Sequence, residues 1–175
     1  MERGAIVIAL LAAGCAGLTQ PTPGTNTATA ELRNARGQVV GTARFTEVSG
    51  GVRILLEAKG LAPGPKGVHV HEVGTCAAPD FTSAGGHFNP EGKKHGLENS
   101  DGPHAGDLPN ITIGPDGTGR LESMNDRIAL AAGPKSVFDA DGSTLVVHAN
   151  PDDFRSDPAG NAGPRLACGV INRAK

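Results

Sequence analysis

Val52-Arg53-Ile54-Leu55-Leu56-Glu57-Ala58 places Val52, Ile54, Leu56 and Ala58 on one side of an extended chain. Strict period two marks a strand buried on one face, because successive side chains of a strand point to opposite faces. Ser49-Gly50-Gly51, just before it, supplies turn chemistry. Upstream, Ala28, Ala30 and Leu32 repeat the alternation, Asn34 to Gly37 offer another turn, and Gly41-Thr42-Ala43-Arg44-Phe45 reads as a weaker strand. Downstream, Gly67 to His71, Asn110 to Ile113, Gly119 to Glu122, Thr144 to His148 and Arg165 to Ile171 read as further strands, with Pro115-Asp116-Gly117 as a hairpin turn. Eight strands and no convincing helix predict an all-β antiparallel sandwich or flattened barrel.

From Glu72 to Asp107 no period is sustained, and Gly, Pro, His and Asn dominate. A loop of that length inside a compact domain points to function. The 26 Gly and 13 Pro are too many for a helical bundle and fit strands joined by turns and long ordered loops. A net charge of −2, with five Phe and no Trp or Tyr, leaves neither a basic footprint nor stacking platforms, so nucleic acid is excluded as a partner.

The six histidines, His69, His71, His87, His95, His104 and His148, all lie beyond residue 68. His69 and His71 stand two apart on a predicted strand, so both rings leave the same face while Val70 leaves the other. A lone histidine is most often a surface or satisfied core residue. A His-x-His strand running into a Gly-rich loop with three more histidines is chelating geometry, and imidazole suits zinc and copper. Loops without a core of their own are often ordered by such a metal.

At the N-terminus, Met1-Glu2-Arg3 precedes an apolar run from Ala5 to Leu11, then Ala12-Ala13-Gly14-Cys15. The run is too short to span a bilayer and reads as the core of a signal peptide. Small residues directly before Cys15 resemble the bacterial lipoprotein cleavage box, which implies lipidation of Cys15 as the first mature residue. The alternative is a plain secretory signal cut at a small-residue site. Residues 1–14 are then a signal peptide, 15–27 a lipidated cysteine with a Pro- and Thr-rich tether, and 28–175 the folded domain. An extracytoplasmic location follows, in the periplasm or on the outer face of the cell membrane, with membrane contact only through the anchor.

Several strings together resemble the copper/zinc superoxide dismutases, across about residues 28–174 and in that family's order. Gly67-Val68-His69-Val70-His71-Glu72 is similar to its first copper signature. Ser83 to Pro90, Lys94-His95-Gly96 and His104-Ala105-Gly106-Asp107-Leu108 are similar to its zinc loop. Thr144 to His148 is similar to its last copper strand, and Gly163 to Ile171 to its C-terminal signature. The resemblance implies an eight-stranded Greek-key barrel or sandwich, immunoglobulin-like in architecture, with long metal-binding and active-site loops. It implies copper held by His69, His71, His87 and His148, and zinc held by His87, His95, His104 and Asp107, with His87 bridging the two. It further implies Asp152 as a carboxylate joining a copper and a zinc histidine, a Cys76–Cys168 disulfide, and Arg165 beside the copper to attract a small anion.

The function implied is dismutation of superoxide to dioxygen and hydrogen peroxide, with His87 and Arg165 as the catalytic residues, protecting the cell envelope. The stretch from His148 to Arg165 is shorter than in the animal enzymes and lacks their charged guidance residues, for which Arg155 is a partial substitute. Oligomeric state stays open between monomer and homodimer. Two other classes compete: a copper-binding or copper-delivery module on the same barrel, expected to lack a copper histidine or the arginine, and a structural zinc domain, which leaves His69 and His148 unexplained.

Overall fold

The computed structural model describes residue 1 and residues 26–174, so Cys15, the signal segment and most of the tether lie outside the described residues. The alternating segments form strands as their periodicity requires. β1 (Thr27–Asn34), β2 (Val39–Val48) and β3 (Gly51–Ala58) make an antiparallel meander. Ala28, Ala30 and Leu32 of β1 and Val52, Ile54, Leu56 and Ala58 of β3 are the buried positions of their strands.

The chain then crosses over. β4 (Gly64–Lys66) pairs with β6 (Ile111–Ile113), whereas β5 (Val68–His71), which follows directly after Gly67, pairs with β8 (Thr144–His148). β7 (Gly119–Asn125) returns beside β3, β9 (Arg165–Val170) joins β8 to β1, and the short β10 (Asn172–Arg173) adds to β1. The hydrogen-bonded order is β4-β6-β7-β3-β2-β1-β9-β8-β5. Because β4 and β5 are halves of one extended segment, the two ends of the sheet meet there and the barrel is nearly closed. Closure of this kind removes exposed edges. The predicted all-β antiparallel class holds, with two strands beyond the eight expected, β4 and β10. One 3₁₀ turn, Thr82–Ala84, is the only helical element among the described residues, and no helix there is long and apolar enough to cross a membrane.

The main core fills the barrel with Leu32, Phe45, Ile54, Leu56, Val70 and Leu145, among others. Every residue of β5 and β8 is buried, on both faces. Their inner face, Val68, Val70, Leu145 and Val147, belongs to that core. Their outer face is covered by the loop after β5, which sets Phe81 and Ala84 against Val146 and Cys168 in a smaller cluster. The loop is pinned to β9 by the Cys76–Cys168 disulfide, with 5.7 Å between the Cα atoms. The covered outer face is where His69 and His71 emerge.

Candidate metal centre

The β5 backbone sends His69 and His71 to the outer face, as period two requires, and His148 ends the neighbouring strand β8. His87 is brought beside them by the covering loop, through a bridge between the His71 and His87 backbones. The result is a group of four buried histidines, His69, His71, His87 and His148, whose ligand atoms lie within 4.8 Å of one another.

The hydrogen bonds fix which nitrogen of each ring faces inward. His71 Nδ1 donates to Gly85 O and His148 Nδ1 to Gly163 O, both at 3.1 Å, and His69 Nε2 donates to Asp152 Oδ2 at 2.7 Å. In neutral rings this leaves His71 Nε2 and His148 Nε2 as bare lone pairs 3.4 Å apart. His69 Nδ1 and His87 Nε2 are buried with no protein partner. Four imidazole acceptors turned on one point, with no donor among them, need a cation, and this donor set suits copper. Burial holds His69 down to about 3 and His148 down to about 4, so both rings are neutral and ready to ligate at ordinary pH.

A second convergence lies on the other side of the His87 ring. Asp107 Oδ1 is 3.0 Å from His87 Nδ1, 3.0 Å from His95 Nδ1 and 3.6 Å from His104 Nδ1. The His104 and His87 Nδ1 atoms are 3.3 Å apart. Asp107 Oδ2 meanwhile accepts from the backbone N–H groups of Gly96 and His104. Three ring nitrogens around one carboxylate oxygen form a donor set that suits tetrahedral zinc. His69 also lies within 4.8 Å of His87, His95 and Asp107, but its Nε2 is committed to Asp152 and its Nδ1 to the four-histidine group. His104 Nδ1 instead faces His87 Nδ1 and the Asp107 carboxylate.

Asp152 links the two convergences, accepting from His69 Nε2 and, at 3.0 Å, from His95 Nε2. Burial alone would depress His95, but Asp107 and Asp152 outweigh it and raise the ring to about 9. Burial would raise Asp107, yet the imidazoles of His104, His87 and His95 and the Gly96 N–H hold it far below the carboxylate range.

A cleft of about 490 Å³ opens over the four-histidine side, with His71, His87 and His148 at its floor and Glu72, Pro158 and Arg165 among its walls. Arg165 is held by two bonds of 2.6 Å, Nη1 to Phe81 O and Nη2 to Gly85 O. The second of these carbonyls is the one that orients His71. The cation thus sits on the same backbone that sets a ligand. Arg155 does not line this cleft; its guanidinium pairs with Glu98 on the surface at 2.6 and 2.9 Å.

The six histidines, Asp107, Asp152 and Arg165 are thus gathered into one assembly, while Cys76 and Cys168 bond to each other in the smaller cluster beside it. Sequence reasoning missed Asn110, Asn125, Arg127 and Gly160, which contact the backbone or carboxylates of that assembly. Asn110 opens a predicted strand, but nothing in that string marks its contact with Asp152, and the other three sit in no periodic or histidine-rich string.

The sequence profile described as copper/zinc superoxide dismutase matches residues 39–171. The chain is 54% identical to superoxide dismutase [Cu-Zn] 2 of Aquifex aeolicus, over 81% of this chain and 84% of that one. It is 40% identical to an extracellular superoxide dismutase [Cu-Zn] of Brugia pahangi, over 84% and 76% of the two chains. The crystal structure of a superoxide dismutase-like protein from Bacillus subtilis superposes with a TM-score of 0.78 at 39% identity, covering 81% of this chain and 96% of that one.

Proposed function

The chain belongs to the copper/zinc superoxide dismutase family, and on that premise we propose how its residues divide the work of dismutation. Copper, when bound, supplies the one-electron chemistry by which two superoxide ions and two protons become dioxygen and hydrogen peroxide, while zinc supplies a fixed charge. His69, His71, His87 and His148 hold copper; His87, His95, His104 and Asp107 hold zinc. The observation that carries this division is the two-sided His87 ring, with Nδ1 turned to Asp107 and Nε2 buried without a protein partner.

His87 Nε2 is the atom placed to hold a proton and hand it to the reduced substrate, while Nδ1 keeps the ring in position. Arg165 draws the anionic substrate into the cleft and orients it, since a guanidinium fixed by two carbonyls keeps its outward donors aimed. Asp152 keeps the His69 and His95 tautomers fixed.

The enzyme works outside the cytoplasm. The Cys76–Cys168 disulfide supports this, since such bonds persist in oxidising compartments. Lipidation of Cys15, after removal of residues 1–14, would tether the domain to a membrane and confine protection to the cell envelope.

Metal analysis alongside superoxide decay tests the assignment. Purified mature protein should carry about one copper and one zinc per chain, and His148→Ala should lose copper and activity while keeping zinc. Copper-loaded protein that leaves superoxide to decay at its uncatalysed rate would refute it. For the anchor, wild-type protein should sediment with membranes and Cys15→Ser should give unprocessed or soluble protein; wholly soluble wild-type protein would rule lipidation out.

A further inference from the structure

The turn from His104 to Asp107 supplies two of the proposed zinc donors, and each of its carbonyl groups is bonded from outside or across the turn. Gly106 O accepts from Val70 N, between the two histidines of β5, at 2.9 Å. His104 O accepts from Asp107 N at 3.3 Å. The remaining bonds come from the end of β7 and the residues just after it, a segment that carries no ligand. Asn125 Nδ2 donates to Ala105 O at 2.8 Å, Arg127 Nη2 to Asp107 O at 2.9 Å, and Arg127 Nε to His104 O at 3.4 Å. Asn125 is fully buried, and its Oδ1 accepts the Arg127 backbone N–H at 2.8 Å, so the two side chains act as one clamp.

We infer that Asn125 and Arg127 are positioning residues that set zinc affinity by fixing the backbone of the 104–107 turn. This rests on the assignment of His104 and Asp107 to zinc. The turn has little freedom on its other side, because a Cβ on Gly106 would run into the Val70 carbonyl. The turn is therefore held between β5 and the β7 clamp, and the spacing of His104 Nδ1 and Asp107 Oδ1 follows from both.

Charge and position make opposite demands on Arg127. As a cation beside a dication site, it should weaken zinc binding, and its removal should tighten it. As a clamp spanning the carbonyls of residues 104 and 107, it should strengthen zinc binding, and its removal should loosen it. Lysine keeps the charge but offers a single point donor that cannot span both carbonyls. Arg127→Gln and Arg127→Lys therefore separate the two effects.

The test is zinc titration of metal-stripped protein against a chromophoric chelator, with the visible spectrum of the Co²⁺-substituted site as a geometric readout. Arg120→Gln, which removes an exposed cation paired with Glu122 on the same strand, is the control. Both Arg127 variants should bind zinc about tenfold more weakly or worse, as is usual for residues that orient ligands from behind. Their cobalt spectra should lose intensity or shift, while copper affinity and the control stay near wild type. Unchanged or tighter zinc binding in Arg127→Gln would overturn the inference. So would an equal loss of both metals with a lower melting temperature, which marks a purely structural role. Wild-type protein that takes up no zinc at all would instead overturn the zinc assignment, and the inference with it.

Discussion

Asp152 stands between His69 and His95, accepting from the first at 2.7 Å through Oδ2 and from the second at 3.0 Å through Oδ1. Its main chain is held in turn by Asn110, which donates to Asp152 O and accepts from Asp152 N, each at 2.9 Å. The carboxylate occupies the space where a side chain of residue 160 would begin: Gly160 has φ of 60°, and a Cβ there would overlap Asp152 Oδ1. Glycine is needed at that position for room as well as for backbone conformation.

Two substitutions should therefore converge on one phenotype. Asp152→Asn keeps the volume and removes the charge, and Gly160→Ala keeps the charge and displaces it. Each should lower the affinity for both metals by about ten- to a hundredfold, since His69 and His95 lose the acceptor that orients them. Chelator competition measures this directly. A Gly160→Ala protein with wild-type affinities would show that the carboxylate bridge does not govern metal retention.

Stability of the metal-stripped protein should peak near neutral pH and fall on both sides. Burial depresses His69 to about 3, His71 to about 2 and His148 to about 4, against 6.5 for the unfolded chain. Below pH 6.5 the unfolded state binds protons that these rings refuse, so stability falls as pH drops toward those values. The slope is about 1.4 kcal/mol per pH unit for each ring that stays neutral. His95 is shifted the opposite way, to about 9, by Asp107 and Asp152 against the effect of burial. Its contribution is full below pH 6.5 and is lost as pH rises through 9. Urea unfolding at pH 5, 7 and 9 should show the maximum at 7, and a flat profile would contradict it.

How far this was legible in the sequence depends on what kind of signal each residue carries. β1 has a polar outer face and β3 a mostly polar one, broken only by the half-buried Leu55, so alternation alone located them. β4 escaped because Gly64-Pro65-Lys66 has too few residues for a period and a proline in the middle. It is a strand only through its pairing with β6, which tertiary structure supplies. The histidines announced the metal centre because clustered imidazoles are rare, and the family's strings extended it to Asp107, Asp152 and Arg165. Asn125, Arg127 and Gly160 were silent. Their contribution is a bond to a backbone carbonyl or an absent Cβ, visible only once distant segments meet. The Gly85 and Gly163 carbonyls that orient His71 and His148 belong to every residue alike and leave no trace in sequence.

The Cys76–Cys168 disulfide ties the covering loop to β9 across 92 residues of sequence, so its main effect should be on the unfolded chain. Reduction should cost about 2–5 kcal/mol of stability. Calorimetry with and without reductant measures the shift in melting temperature. An unchanged melting temperature, with free thiols confirmed, would show that packing of Phe81 and Ala84 against Val146 holds the loop unaided.

Arg165 should set the rate without setting the metal content. Its backbone pairs with His148 across β8 and β9, but its guanidinium bonds no histidine; it is anchored on Phe81 O and Gly85 O and forms part of the cleft over the four histidines. Superoxide is a small anion that needs no elaborate pocket, so encounter can limit the reaction, and a fixed cation should then raise the encounter rate. Salt should weaken that attraction, with a screening length of about 8–10 Å at ordinary ionic strength. Arg165→Ala should keep both metals, slow the reaction and flatten its salt dependence. Arg165→Glu should be slower again, and salt should now speed it, because screening relieves a repulsion. The sign of that salt effect separates steering from a role in holding the loop: lost loop contacts would slow both variants alike and leave the salt dependence unreversed. A fully active Arg165→Glu protein with unchanged metal content would remove Arg165 from the mechanism and leave the metal assignment standing.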